Sequence, residues 1–193
     1  YPMRLRSEAL TLFALFVTEF SLYGSQAPGA SHCSVGALHA DNAGEFTSRE
    51  FKEYCDTHSI AFTSCPAHTH PLNGVAERAV GTIVTVLRTA LIASRAPSSF
   101  WAYAATHACD ILNRTTGPPG SHMTSHEALT GRKPAIMNIL PFGCRAYVVQ
   151  PRVLDGLSSS SDCPAWLGVN LGKSESAPGA YTAWIPSLGR IVV

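Results

Sequence analysis

The chain has 193 residues, of which 46% are hydrophobic and 14% charged, and its formal net charge is +1. This length and composition are enough to bury a core, which excludes an intrinsically disordered polypeptide. The small net charge excludes a general electrostatic attraction to nucleic acid, so any affinity for DNA must come from local patches, metal ions or segments outside the chain.

In the first 115 residues, helical and strand patterns follow one another in the order of an α/β fold. Helices are predicted at 7–22, with Ser7 as the N-cap, and at 48–58, 73–94 and 98–114; strands are predicted at 35–40 and 60–64. The first helix should turn five apolar side chains to the core: Leu10, Phe13, Phe16, Val17 and Phe20.

In the second half of the chain, helical patterns give way to short β-type runs. After a Gly- and Pro-rich stretch, Thr124 and Glu127 have the spacing of a capping box, and Gly131 can end the short helix that follows. Short β-type runs are then predicted at 145–150, 165–170, 181–185 and 190–193, with a flexible loop tip at 158–161.

The cysteines and the apolar segments indicate an intracellular protein without a membrane anchor. None of the six cysteines forms a CxxC pair, which is typical of reduced thiols and not of a disulfide framework. The apolar run at 9–17 is too short to cross a bilayer. It follows two arginines, so a signal peptide is the alternative reading of this segment.

Two acidic residues stand in positions that suit a divalent metal site. Asp41 follows a predicted strand directly, at the sheet edge where α/β proteins usually bind ligands. Glu77 lies in the first turn of the long helix, between its apolar and polar stripes, and Gly81 leaves space one turn further on. Two carboxylates that converge in this way can hold divalent metal ions for phosphodiester chemistry. The alternative is that Glu77 binds no metal ion and only interacts favourably with the dipole of its helix.

Other polar and aromatic residues have simpler explanations. His39, His68 and His70 lack further ligands in register, so solvated histidines are expected. Three neighbouring aromatic residues, Phe100, Trp101 and Tyr103, are expected in a helix core and not as base-stacking platforms.

Several short motifs occur in the order found in one family. The hexapeptide at 41–46 reads Asp-Asn-Ala-Gly-Glu-Phe, and the one at 73–78 reads Asn-Gly-Val-Ala-Glu-Arg. Together with the motifs that follow, they resemble the integrase of copia-type LTR retrotransposons, a part of the Pol polyprotein. The later motifs lie at 100–102, 112–114, 127–134 and 142–147, and the runs at 166–168 and 179–192 resemble a small SH3-like β module.

The resemblance implies DNA integration by polynucleotidyl transfer at two magnesium ions about 4 Å apart. By motif match, Asp41 would hold one ion and Glu77 the other. A first-strand aspartate that bridges both ions, and a zinc-binding module, would precede Tyr1, so the chain reads as a fragment that is inactive alone. Ala43 departs from the family pattern, as do residues 79–81, where basic or polar residues are usual; a decayed copy of the element is therefore plausible.

The DNA-contacting residues that we predict lie at the start of the long helix and along it: Asn73, Gly74, Arg78, Thr82 and Arg88. Expected partners are the element ends and target DNA, with a homo-oligomer in the full-length form and a nuclear location during action on chromosomes. No membrane partner is expected.

The predicted fold class is α/β: an RNase H-like integrase core that lacks its N-terminal strands, followed by a small β module. The expected divisions are a core at 1–115, a helical connector at 116–142 and an SH3-like module, incomplete at its C-terminus, at 143–193. Two alternatives remain open. One is a non-catalytic relic or nucleic-acid- or protein-binding remnant; the other is a different RNase H-like nuclease.

Overall fold

The computed structural model describes residues 2–3, 5–24, 33–64, 74–118, 120–150, 164–174, 176–177 and 179–193. The predicted loops at 65–72 and 158–161 lie outside the described residues, as do His68, His70 and Asn73. The chain divides into two compact units: Tyr1–Thr82 with Asn113–Pro134, and Ile83–Leu112 with Ala135–Val193. Our division into a core, a connector and a β module stays a prediction.

The first unit contains a short parallel sheet with helices. After a 3₁₀ turn at Arg6–Glu8 come α1 (Ala9–Gly24), β1 (Ala37–Ala40), α2 (Gly44–Thr47), α3 (Arg49–Thr57) and β2 (Ala61–Ser64). Strands β1 and β2 pair in parallel, from Ala37 opposite Ala61 to Ala40 opposite Ser64. Both strands were predicted from sequence, whereas α2 was not, because its residues resemble a turn.

The core of the first unit forms around α3. Phe51 and Cys55 are fully buried, Ile60 is nearly so, and side chains of α1 pack against them. Phe13 stacks on Phe51 with ring centroids 5.2 Å apart. Such aromatic pairs stabilise a core beyond the area that they bury. The predicted apolar face of α1 is therefore largely confirmed.

Three details of the α1 prediction are wrong. Phe20 is half-buried against Phe16 and is not among the side chains that pack on this core. Phe16 is 41% exposed, because the side chains that reach the core are those of Leu10, Phe13 and Val17, and Phe16 stacks on Phe13 from outside. Ser7 is not an N-cap, since the chain enters α1 through the 3₁₀ turn that already contains it.

Two further helices are as predicted in place and type. The helix α4 (Gly74–Ser94) continues from the first unit into the second, and α5 (Trp101–Thr115) follows a 3₁₀ turn at Ser98–Phe100. The short α6 (Ser125–Thr130) begins where Thr124 Oγ1 accepts a hydrogen bond of 3.1 Å from the amide of Glu127. It ends at Gly131, whose φ of 67° is the left-handed C-cap that glycine favours.

The second unit includes an antiparallel sheet in the order β3 (Arg145–Val149), β4 (Ala165–Lys173), β5 (Tyr181–Ile185) and β6 (Arg190–Val192). All four strands match predicted runs. Ala104, Phe142 and Leu171 form the buried core, against which Leu87 and Leu91 of α4 pack. Trp101 is 50% exposed, so its prediction as a core residue is wrong, because it stands at the start of α5 and not on its inward face.

A buried asparagine ties the turn before β3 to β4. Asn170 is 3% exposed, its Nδ2 donates to the carbonyl of Pro141 at 3.0 Å, and its Oδ1 accepts from the amide of Gly172 at 3.1 Å. Its backbone N–H donates to Cys144 O at 2.9 Å, and its carbonyl accepts from Gly143 at 2.8 Å. Satisfied buried polar groups of this kind favour one arrangement over others.

Replacement of Gly143 by alanine should destabilise the second unit by about 2–5 kcal/mol. Gly143 has a φ of 76°, and an added Cβ would lie 2.1 Å from Cβ of Ser94. Gly179→Ala is the matched control, because Gly179 has a φ of 82° but nothing within 4 Å of an added Cβ. The control should lose only about 1–2 kcal/mol, the cost of the backbone conformation. Urea unfolding measures both; equal losses would mean that the approach of Ser94 does not matter.

Candidate catalytic site

Asp41 lies at the carboxyl end of the parallel strand pair. It follows Ala40, the one buried residue of β1, and is itself exposed. Its Oδ1 accepts a hydrogen bond of 3.2 Å from the amide of Ala43. This turn uses one carboxylate oxygen, and Oδ2 bonds to no described residue. Asp41 therefore stands where the sequence predicted it, with an oxygen ligand free to face solvent.

The residues after Asp41 anchor its turn to the core. Ala43 is the N-cap of α2, and Phe46 lies edge-on to Phe51 with centroids 5.4 Å apart. The next helix begins at once, where Ser48 Oγ accepts a hydrogen bond of 3.2 Å from the amide of Phe51. Since Phe51 is fully buried, the position of Asp41 depends on the packing of α3.

Glu77 lies in the first turn of α4, as predicted, but its surroundings differ from the prediction. It is exposed, and so are the residues from Val75 to Thr82. The expectation of a carboxylate at the edge of the core is wrong, because the side chains of α4 that pack on the core begin only further along the helix, at Leu87. The predicted open space is present, since nothing lies within 4 Å of a Cβ built on Gly81.

The two carboxylates belong to the same compact unit. Among the described residues, no group of three or more His, Cys, Asp or Glu side chains could hold a metal ion. Asp41 and Glu77 nevertheless offer the hard oxygen ligands that magnesium prefers, and neither carboxylate forms an ion pair within the described part of the chain. The donor chemistry fits magnesium, and convergence of the pair on one ion cluster stays a prediction.

The predicted DNA-contacting side chains differ in availability. Arg78 and Arg88 are exposed on α4, and Gly74 is its half-buried first residue. Thr82 is exposed too, but its Oγ1 donates to the carbonyl of Arg78 at 2.9 Å. A phosphate oxygen accepts hydrogen bonds, so Thr82 must break this bond before it can donate to DNA. Their role in DNA binding stays a prediction, including that of Asn73.

His39 is held by the neighbouring strand. Its Nδ1 lies 2.9 Å from Oγ1 of Thr63 across the parallel pair, two residues before Asp41. It is exposed, as predicted, and it lies in β1, within the strand predicted at 35–40. Its contact with Thr63 stabilises the strand end that presents Asp41.

Sequence reasoning missed a cleft of about 440 Å³ beside α2. Glu45 lines it with only 15% of its side chain exposed, and an oxygen of Glu45 lies 4.0 Å from Nη1 of Arg6. The sequence carries a signal for this residue, because Glu45 belongs to the motif at 41–46. Arg6 is 83% exposed, so the pair contributes little to stability.

No family model matches the chain. A retrovirus-related Pol polyprotein from transposon TNT 1-94 of Nicotiana tabacum is 38% identical over 115 residues, which are 60% of this chain and 9% of that protein. A retrovirus-related Pol polyprotein from transposon RE2 of Arabidopsis thaliana is 28% identical over 175 residues, which are 90% of this chain and 11% of that protein. The chain is similar to transposon Pol polyproteins of plants. This confirms the resemblance predicted from the motifs.

The chain spans about a tenth of the length of the curated relatives that it matches. A chain of the simian T-cell lymphotropic virus intasome, solved with the PP2A regulatory subunit B56 gamma, matches 96% of it at 17% identity, with a TM-score of 0.50 and 63% of that chain covered. The HTLV-2 integrase catalytic core domain in complex with magnesium matches 64% of it at 22% identity, with a TM-score of 0.44 and 70% of that chain covered. The predicted fold class, α/β followed by a small β module, is confirmed, because the described residues form a parallel strand pair with helices and a second, four-stranded antiparallel sheet.

No helix within the described ranges is both long and apolar enough to cross a membrane.

Asp41→Asn should fold as stably as the parent chain, whereas Asp41→Ala should lose about 0.5–1 kcal/mol. An amide oxygen can still accept the hydrogen bond from Ala43, and a methyl group cannot. Chemical unfolding of the three proteins measures the difference. Equal losses in the two variants would show that the turn does not depend on this bond.

Proposed function

We propose that this chain is part of an integrase that joins retrotransposon DNA 3′ ends to target DNA by metal-dependent polynucleotidyl transfer. The observation that supports this most directly is the exposed carboxylate of Asp41 at the end of β1, within a motif of a Pol-like sequence. Glu77 is the second carboxylate. The copia type of the element, the nuclear location, the DNA partners and the homo-oligomeric state are parts of the same proposal.

Asp41 and Glu77 would hold magnesium in this proposal, with Asp41 oriented by its bond to Ala43 and Glu77 by the first turn of α4. When bound, paired magnesium ions stabilise both the attacking and the leaving oxygens of an in-line displacement. Arg78 and Arg88 would bind phosphate groups, because exposed guanidinium groups pair well with phosphate oxygens. We also propose the division into a core at 1–115, a connector at 116–142 and an SH3-like module at 143–193.

The polypeptide of 193 residues should be inactive alone. A two-metal centre needs a ligand that bridges both ions, and no cluster of three metal-binding side chains occurs in the described ranges. Purified chain incubated with donor DNA ends and magnesium should therefore give no joined product on a sequencing gel. Magnesium-dependent joining would contradict the predicted inactivity of the chain alone. It would not argue against Asp41 and Glu77 as metal ligands.

Metal binding tests the site directly. The parent chain should bind Mn²⁺, a spectroscopically visible substitute for Mg²⁺, and Asp41→Asn and Glu77→Gln should each weaken binding by about tenfold or more. Loss of a group that merely orients a metal ligand commonly costs about 10- to 100-fold, and loss of a ligand should cost at least as much. Electron paramagnetic resonance of free Mn²⁺ measures the affinity. Asp56→Asn is the control, because Asp56 is an exposed carboxylate of α3 outside the site. Equal effects in all three variants would exclude a specific pair.

A second candidate function is a nucleic-acid-binding remnant without catalysis. It is supported by the absence of a three-ligand group among the described residues and by Ala43 in place of the family's glycine. In that case DNA binding depends on the arginines of α4 and does not depend on the carboxylates of Asp41 and Glu77.

Binding of fluorescent duplex DNA separates the two candidates. Arg78→Ala and Arg88→Ala should each weaken binding and lower the slope of log Kd against log salt concentration by about one, because each removes one phosphate contact. Arg49→Ala is the matched control, since Arg49 Nε already pairs with Glu53 at 3.2 Å. Weaker DNA binding by the two arginine variants, together with no Mn²⁺ affinity of the parent chain, would favour the remnant. Unchanged DNA binding by both variants would exclude both arginines as DNA contacts.

A further inference from the structure

The β3 strand forms one edge of the antiparallel sheet. In the order β3-β4-β5-β6, β4 pairs with one side of β3, and no described strand pairs with the other. The register is regular along the whole strand, from Arg145 opposite Val169 to Val149 opposite Ala165. The open side of β3 is therefore a row of backbone donors and acceptors that another strand could join.

The hydrogen bonds at the two ends of β3 show which residues face this open edge. The amide of Gln150 donates to Pro164 O at 3.0 Å, and the amide of Asn170 donates to Cys144 O at 2.9 Å. In an antiparallel ladder, residues alternate between those that bond to the neighbour and those that face away. The even-numbered residues of β3 thus bond to β4, and the N–H and C=O groups of Arg145, Tyr147 and Val149 point outward.

The side chains of the edge residues are also uncovered. Tyr147 is 69% exposed and Val149 47% exposed, and Leu167, directly opposite Tyr147 on β4, is 54% exposed. These three form an apolar strip on one face of the sheet. Natural edge strands are usually protected by a lysine, a proline, a bulge or a covering segment. Residues 145–149 contain no proline and no lysine, and Arg145 is their single charge.

We propose that the open edge of β3 pairs with the same edge of a second copy of this chain, antiparallel, with Tyr147 opposite Tyr147 of the second copy. In this register the outward-facing residues meet in complete hydrogen-bonded pairs: Arg145 opposite Val149, Tyr147 opposite itself, and Val149 opposite Arg145. The two sheets would become one eight-stranded sheet across the dimer. This pairing specifies one interface for the homo-oligomeric state proposed above, and it does not depend on the metal-dependent chemistry.

The position of the single charge of β3 and the alternation of its outward-facing residues favour a second copy over an unrelated strand. A two-fold axis at Tyr147 places the two arginines at opposite ends of the paired segment, each across from a valine, so no like charges face each other. The same axis brings the two tyrosines together, and the exposed apolar strip of each copy continues into that of the other. Aromatic pairs directly opposite each other are among the stabilising pairs of antiparallel sheets.

Charge substitution at the axis tests the pairing. Tyr147 is the one β3 residue that faces its own counterpart, so Tyr147→Lys should place two lysines opposite each other and weaken self-association of the full chain by about tenfold or more. Tyr147→Glu should do the same, and an equimolar mixture of the two variants should recover association as a heterodimer. Sedimentation equilibrium measures all three, and circular dichroism should show unchanged folding, because Tyr147 is mostly exposed.

Leu188→Lys is the matched control, since Leu188 is an exposed apolar residue of the same unit outside β3 and should leave association unchanged. A parent chain that stays monomeric up to its solubility limit overturns the proposal. So does a dimer that both variants leave intact, which would place the interface elsewhere. Weakening by each variant without recovery in the mixture also overturns it, because it would indicate a different strand or another part of the chain on this edge.

Discussion

The parallel pairing of β1 with β2 is the interaction on which the candidate site depends. Parallel strands need a crossover connection, and here residues 41–60 provide it through α2 and α3. Because Asp41 is the first residue of that connection, its place at the strand end follows from the pairing. The crossover is held by Phe51 and Cys55, which are fully buried, so the apolar core of α3 and the polar turn at Asp41 are parts of one structural unit.

Local pattern predicted most of the secondary structure, because helices and strands depend on nearby residues. The spacing of Phe51 and Cys55 identifies the buried face of α3, and Thr124 with Gly131 marks both ends of α6. Most of the errors concern burial. Glu77, Phe16 and Trp101 lie on correctly predicted helices, but their exposure depends on which other elements pack there. The hydrogen bonds of Asn170 were not predicted either, because its partner Pro141 is 29 residues away in sequence.

The two candidate functions differ in which side chains carry them. Asp41 and Glu77 are exposed carboxylates of the first unit, with an oxygen of Asp41 already used by its own turn. Arg78 and Arg88 are exposed cations of α4, and the hydroxyl of Thr82 is engaged within the helix. With a net charge of +1, the chain has no surplus of positive charge to attract DNA as a whole, so individual arginines and a bound cation would have to do so.

The exposed first half of α4 has a thermodynamic consequence. Residues 75–82 bury no side chain in the described structure, and they include Gly81 and two valines, which are weak helix formers. Helices gain most of their stability from packing, so this segment depends on propagation from the packed half beyond Ile83. Glu77 therefore stands on the part of the helix that opens with least free energy. A cation or phosphate that binds there must offset the conformational entropy lost when that turn becomes ordered. This cost lowers the affinity for the ligand. Ligand binding and helix formation are then one coupled equilibrium.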